Sequence, residues 1–164
     1  MSCLSGGNVV STNVIAMPEK PVDVIYVIGC GRSGTTILDM MLAEDEKIIS
    51  GGELYYYGLE DAHRTWSCPC GKTIEECLFW SAVTQNYLEK TSDEPLSSCW
   101  NLKQKFEGPR FHGATRTVTQ SKLNSETLRK YHLQQYWLIK SLLDIGGGNY
   151  VVDSSGLPTR GLNY

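Results

Sequence analysis

The sequence predicts an α/β fold, a parallel sheet flanked by helices, and three observations carry that prediction. A short β-branched run, Val22 to Ile28, is bounded by Pro21 and Gly29 and reads as a buried strand. It runs into a glycine-rich turn, and the turn runs into apolar residues at helical spacing. A second such strand, Tyr150 to Asp153, follows a long amphipathic segment ended by Gly146, Gly147 and Gly148. Strands alternating with helices imply parallel pairing, with ligands at the carboxyl ends of the strands.

The elements follow in order. Residues 1–21 are rich in Ser, Gly, Asn and Thr and read as a flexible leader; residues 22–164 read as one domain. After the first strand comes Gly29-Cys-Gly-Arg-Ser-Gly-Thr-Thr36, then a helix whose apolar face is Ile37, Leu38, Met41 and Leu42. Lys47 to Ser50 is a short second strand, followed by Gly51-Gly52-Glu53-Leu54. Ile74 to about Lys90 reads as a helix, with Glu75 and Glu76 at its positive end. Residues 101–122 read as loop or weak structure. They carry Lys103, Lys105, Arg110, Arg116 and Lys122 against Glu107; the run could line an acceptor site for an anionic substrate, and a solvated loop is the favoured reading. Ser125 caps a helix from Glu126 to about Ile145, with Leu128, Tyr131, Leu138, Leu142 and Ile145 on one stripe. Tyr55, Tyr56 and Tyr57 either stack on an acceptor or pack against the sheet. His112 and His132 have no partner visible in the sequence.

Composition narrows the class. The chain has 164 residues, 41% of them apolar and 20% charged, which excludes collagen, coiled coil and general disorder. A net charge of -3 gives no reason to expect nucleic acid. No apolar run approaches the ~20 residues that span a bilayer, and the start carries no secretory signal, so a cytoplasmic protein is expected. Its six cysteines are then expected as thiols. Cys68, Cys70 and Cys77, with His63 nearby, could supply four zinc ligands or a Cys–Cys bond. Cys-x-Cys is tighter than the usual zinc spacing, so buried free thiols are the favoured reading.

The glycine loop carries the chemistry. A strand, a glycine-rich turn and a helix together make an anion site, because backbone N–H groups converge where the helix dipole is positive. Ser33, Thr35 and Thr36 add hydroxyl donors, and Arg32 adds a planar charged fork. The spacing Gly29-x4-Gly34 matches the start of the Walker A pattern and makes the predicted sheet P-loop-like. Thr35 stands where that pattern has lysine, so the loop is poorly equipped for the γ-phosphate of a nucleoside triphosphate.

Val27-Ile-Gly-Cys-Gly-Arg-Ser-Gly-Thr-Thr-Ile-Leu38 resembles the loop with which sulfotransferases grip the 5′-phosphosulfate of PAPS (3′-phosphoadenosine 5′-phosphosulfate). Three further segments resemble that family in the expected order: Gly51-Gly-Glu53, Cys68-Pro-Cys-Gly71 through Cys77-Leu-Phe-Trp80, and Val151-Val-Asp-Ser-Ser155 with Arg160. Gly156 stands where the family commonly has lysine. The resemblance implies transfer of a sulfuryl group from PAPS to a hydroxyl or amine acceptor that the sequence does not identify. It assigns Glu53 as base and Arg32 as the group stabilising the leaving charge. It places Gly31, Arg32, Ser33, Gly34, Thr35 and Thr36 on the 5′-phosphosulfate, adds Ser154 and Arg160 as cofactor contacts, and requires no metal. The family's 3′-phosphate motif would lie beyond Tyr164, so the chain is expected to be an N-terminal portion of a larger domain whose last strand has an exposed edge. The alternatives are a P-loop kinase- or NTPase-like protein and a non-catalytic sulfotransferase-like fragment.

Overall fold

A computed structural model of the chain describes residues 20–65, 67–107 and 126–161. Most of the expected leader, residues 108–122 of the basic segment with His112, and the cap Ser125 lie outside the described residues. The elements are β1 (Asp23–Ile28), α1 (Thr35–Leu42), β2 (Ile48–Ser50), a 3-10 turn (Leu54–Tyr56), α2 (Glu60–Thr65), α3 (Leu78–Lys90), α4 (Leu96–Glu107), α5 (Glu126–Gly146), β3 (Tyr150–Gly156) and α6 (Pro158–Gly161).

The three strands form a parallel sheet in the order β1-β3-β2. Val24 lies opposite Val151 and Tyr26 opposite Asp153 on one side; Ile49 lies opposite Val151 on the other. Among the described residues the last strand is therefore the central one, and the open edges belong to β1 and β2. This corrects the expectation of an exposed edge on β3. The strand's own sequence explains it: Val151, Val152, Asp153 and Ser154 are all buried, as a central parallel strand covered on both faces requires. Side-chain alternation sorts the helices. Val151 joins the core with Leu138, Ile139 and Leu142 of α5, while Ser154, of opposite parity, bonds Asp39 of α1. Helices thus cover both faces.

Alpha-helix 5 follows its predicted stripe. Leu128, Tyr131, Leu138 and Leu142 are buried, and only Ile145, at the last turn, is 38% exposed. The glycine turn after it is tight for a steric reason. A Cβ on Gly148 would stand 2.7 Å from Ile49 Cγ1 and 2.8 Å from the Lys47 carbonyl oxygen, so only glycine lets the chain pass β2 here.

Three expectations change. Most apolar residues of α1 do not face the sheet: Ile37, Met40 and Met41 are 64–67% exposed, Leu42 is half-buried, and the residue that α1 fully buries is Asp39. The helix is turned by that carboxylate, whose Oδ2 accepts the Ser154 hydroxyl at 2.6 Å. The helix expected from Ile74 starts at Leu78. Thr73 and Glu76 bond reciprocally, closing one separate turn, and Cys77 then adopts an extended backbone before α3 begins. Residues 101–107, expected as loop, are the second half of α4. Leu102 and Phe106 pack with Leu128 and Tyr131 of α5, which overrides the polar composition. Lys103, expected in solvent, is fully buried, and so is Glu107.

A buried charge cluster ties the last strand to α4, α5 and α6. The Arg160 guanidinium donates from Nε to Asp153 Oδ2 at 2.5 Å, and from Nη1 to both Glu107 oxygens at 2.7 and 2.9 Å and to Gln135 Oε1 at 3.1 Å. Tyr131 donates its hydroxyl to Glu107 at 2.6 Å. No helix among the described residues is long and apolar enough to cross a membrane.

Breaking one partner of a buried ion pair costs about 3–5 kcal/mol because a buried charge is left uncompensated. Glu107→Ala is expected to destabilise by about that amount in urea unfolding. Glu60→Ala, which removes an exposed pair with Arg64, should change stability by less than about 0.5 kcal/mol. Equal effects in the two variants would show that the cluster does not hold the fold.

Candidate functional site

The loop and the candidate base lie at the same end of the sheet, on either side of β3. β1 delivers residues 29–34 at its carboxyl end, where the Ser33 amide bonds the Cys30 carbonyl at 3.1 Å and closes a turn. Arg32, the third residue of that turn, has φ 66, and Gly34 before α1 has φ 88. A left-handed arginine is strained, and such strain concentrates at ligand sites. No side chain caps α1 at Gly34, so its first-turn amides face outward with the dipole behind them. Arg32, Ser33, Gly34 and Thr36 are exposed and Thr35 is half-buried. Arg32 makes no ion pair among the described residues.

Beside them, Gly51 and Gly52 continue β2 along β3: the Gly51 amide bonds the Val152 carbonyl at 2.8 Å, and the Ser154 amide bonds the Gly52 carbonyl at 2.9 Å. Glu53 follows directly and precedes the 3-10 turn. Glu53 is exposed, yet partial desolvation by its surroundings, reinforced by the charge of Asp153, raises its carboxyl above the ordinary value of 4.5. The turn after Glu53 is fixed from beneath. Lys103 donates its ammonium to the Leu54 and Tyr57 carbonyls at 2.5 and 2.9 Å, and the Tyr55 amide bonds Ser155 Oγ at 2.8 Å. Burial lowers the Lys103 ammonium below its ordinary range. Of the three tyrosines, Tyr55 and Tyr57 are buried, while Tyr56 is half-buried and stacks on Trp100 with ring centres 6.2 Å apart.

The structure thus brings Gly31, Arg32, Ser33, Gly34, Thr35, Thr36 and Glu53 to the carboxyl end of the sheet. Ser154 and Arg160 end elsewhere. The Ser154 hydroxyl is spent inside the fold on Asp39, whose Oδ1 has no partner among the described residues. Arg160 is 1% exposed and lies among Glu107, Asp153 and Gln135. Gly156 has φ 72, and a Cβ there would stand 2.8 Å from the Gly29 carbonyl oxygen, so a lysine cannot replace it in this backbone. Sequence reasoning missed Asp39, Lys103 and Glu107. Asp39 had a signal, as a lone acid within an apolar helical run; the other two had none.

A separate groove of about 750 Å³ runs between α2, α3 and α4, lined among others by His63, Arg64, Glu75, Thr84 and Leu88. It includes none of the loop residues and not Glu53. His63 Nε2 accepts the Gly58 amide at 3.1 Å, and burial, with a smaller effect of Lys103, lowers its proton affinity. The imidazole is therefore a neutral structural acceptor there.

Gly156→Ala should cost more stability than Gly147→Ala, by about 1–3 kcal/mol in urea unfolding. Both glycines have positive φ, but a Cβ at Gly147 meets nothing within 4 Å. Equal losses would mean that the contact between Gly156 and Gly29 does not position the loop.

No protein-family model, no curated protein and no solved structure matches this chain.

Proposed function

We propose that the chain carries the donor half of a PAPS-dependent sulfotransferase site on a P-loop-type α/β fold. One observation supports this reading above the others: a strained, exposed arginine turn opens an uncapped helix at the same end of the sheet as a carboxyl with raised proton affinity. The 5′-phosphosulfate lies against the Ser33 to Thr36 amides and hydroxyls, as an anion on a helix N-terminus. Arg32 sits on the bridging oxygen, where negative charge grows as the S–O bond to phosphate breaks. Glu53 takes the proton of the acceptor hydroxyl or amine while that atom bonds to sulfur, and 3′-phosphoadenosine 5′-phosphate (PAP) leaves. Desolvation suits Glu53 to this task, because a carboxyl with a raised pKa is the stronger base. In the same reading, Ser154 and Arg160 serve by holding α1 and β3 in place.

Calorimetry separates the donor from a nucleoside triphosphate. PAP should bind, Arg32→Gln should weaken that binding at least about tenfold, and ATP with Mg²⁺ should bind more weakly than PAP. Tighter binding of ATP with Mg²⁺ would assign the loop to a kinase- or NTPase-like protein. No binding of either would leave a non-catalytic fragment.

Glu53→Gln should keep PAP affinity and lower PAPS turnover by about 10²–10⁴-fold. The sign of the pH effect follows from the raised carboxyl. Glu53 works deprotonated, so turnover falls as pH drops through its pKa, and the acid limb should lie above pH 4.5. A Glu53→Gln enzyme with wild-type turnover would remove the base assignment.

A further inference from the structure

Residues 67–77, between α2 and α3, form a small unit with almost no apolar burial. From Ser67 to Glu76 no residue is buried; only Cys77 is. Backbone bonds shape it nonetheless. The Cys68 amide bonds the Lys72 carbonyl at 2.7 Å, the Gly71 amide bonds the Cys68 carbonyl at 2.8 Å, and Ser67 and Thr73 form an isolated antiparallel bridge. Gly71, at φ 84, lets the chain turn back directly after Cys70. The Cys77 amide bonds the Thr73 carbonyl at 3.0 Å, which sets Cys77 at the start of α3.

The outcome is convergence of three thiols from two sides. Cys68 and Cys77 Sγ are 3.4 Å apart, and the Sγ atoms of Cys68, Cys70 and Cys77 all lie within 4.8 Å of one another. Four sulfurs at 2.3 Å around a tetrahedral zinc ion stand about 3.8 Å apart, so these separations bracket the edge of such a site.

We propose that Cys68, Cys70 and Cys77 bind one zinc ion through three sulfurs, with the fourth position open to solvent on the exposed Cys70 side. Binding replaces three S–H protons, which go to solvent, and leaves a Zn(S)₃ unit of net charge −1 with a water in the fourth place. The three soft donors select zinc over magnesium or calcium. His63, within reach in sequence, is not the fourth ligand, because its Nε2 already accepts the Gly58 amide. The ion takes the place of the apolar core that residues 67–77 lack and fixes them to the start of α3. The three thiols are free, as favoured from the sequence, but only Cys77 is buried; Cys68 is half-buried and Cys70 exposed.

The test is a titration of the reduced, metal-stripped chain with Co²⁺ and then Zn²⁺. One equivalent of Co²⁺ should give near-ultraviolet thiolate-to-cobalt absorption and tetrahedral bands in the visible, and one equivalent of Zn²⁺ should bleach both. Cys70→Ser, at an exposed position that folding tolerates, should weaken binding at least about tenfold, while Cys30→Ser, which removes another exposed thiol, should leave it unchanged. Zinc-loaded protein should protect three thiols from a disulfide reagent. A fully reduced chain that titrates no Co²⁺, or a Cys70→Ser chain that binds as tightly as the original, overturns the proposal. So does a Cys68–Cys77 disulfide that survives reductant and excludes cobalt.

Discussion

The fold depends on a cluster of buried charges that balance one another. Arg160 and Lys103 bring two positive charges, and Glu107 and Asp153 two negative ones, all at or near zero exposure. Each of these ions alone would cost several kcal/mol to bury. Together they connect elements that hydrophobic packing by itself would leave in variable register. Asp153 belongs to the central strand, Glu107 and Lys103 to α4, and Arg160 to the helix after the strand. Lys103, on the same helix as Glu107, donates to the Leu54 and Tyr57 carbonyls and so fixes the turn that follows Glu53.

Local features of the sequence were legible, and long-range ones were not. β1, the glycine loop, the start of α1, α5 and β3 are each specified within a few residues, by β-branched runs, glycines and a 3.6-residue period. The loop half of the candidate site was readable for the same reason. The strand order was not, because nothing local in Val151 or Val152 says that two strands will flank them. Lys103 was misread because a basic residue in a basic run looks solvated; only Leu54 and Tyr57, some 46–49 residues away, make it structural. Glu107 looked like a stray acid among bases, yet its partner is Arg160, 53 residues on.

The same contrast explains α1. Its sequence has an apolar face that ordinarily points to the sheet, and here that face is outside. The hydroxyl of Ser154 and the carboxylate of Asp39 form one short bond, which sets the rotation of an eight-residue helix. Apolar burial of Ile37 or Met41 would give about 1.5–3 kcal/mol each, but it would strand Asp39 and Ser154 as unpaired polar groups or expose them. The apolar surface left outside is larger than a single scattered side chain and lies on the helix that leads from the loop, on a sheet whose β1 edge has no strand partner among the described residues.

Two arginines divide the work that resemblance assigned to both. Arg160 sits among two carboxylates and an amide in a region closed to water, where its charge is neutralised before it can reach an anion outside. Arg32 is the opposite case. It is exposed, it has no acidic partner among the described residues, and its backbone is held in a conformation that arginine disfavours. A guanidinium of that kind keeps its full charge for a ligand, and the strain in the turn is balanced only where the ligand draws on it. Sequence similarity treats the two residues alike because both are arginines beside glycine or serine. Burial separates them: one builds the scaffold, and the other stays exposed at the carboxyl end of the sheet.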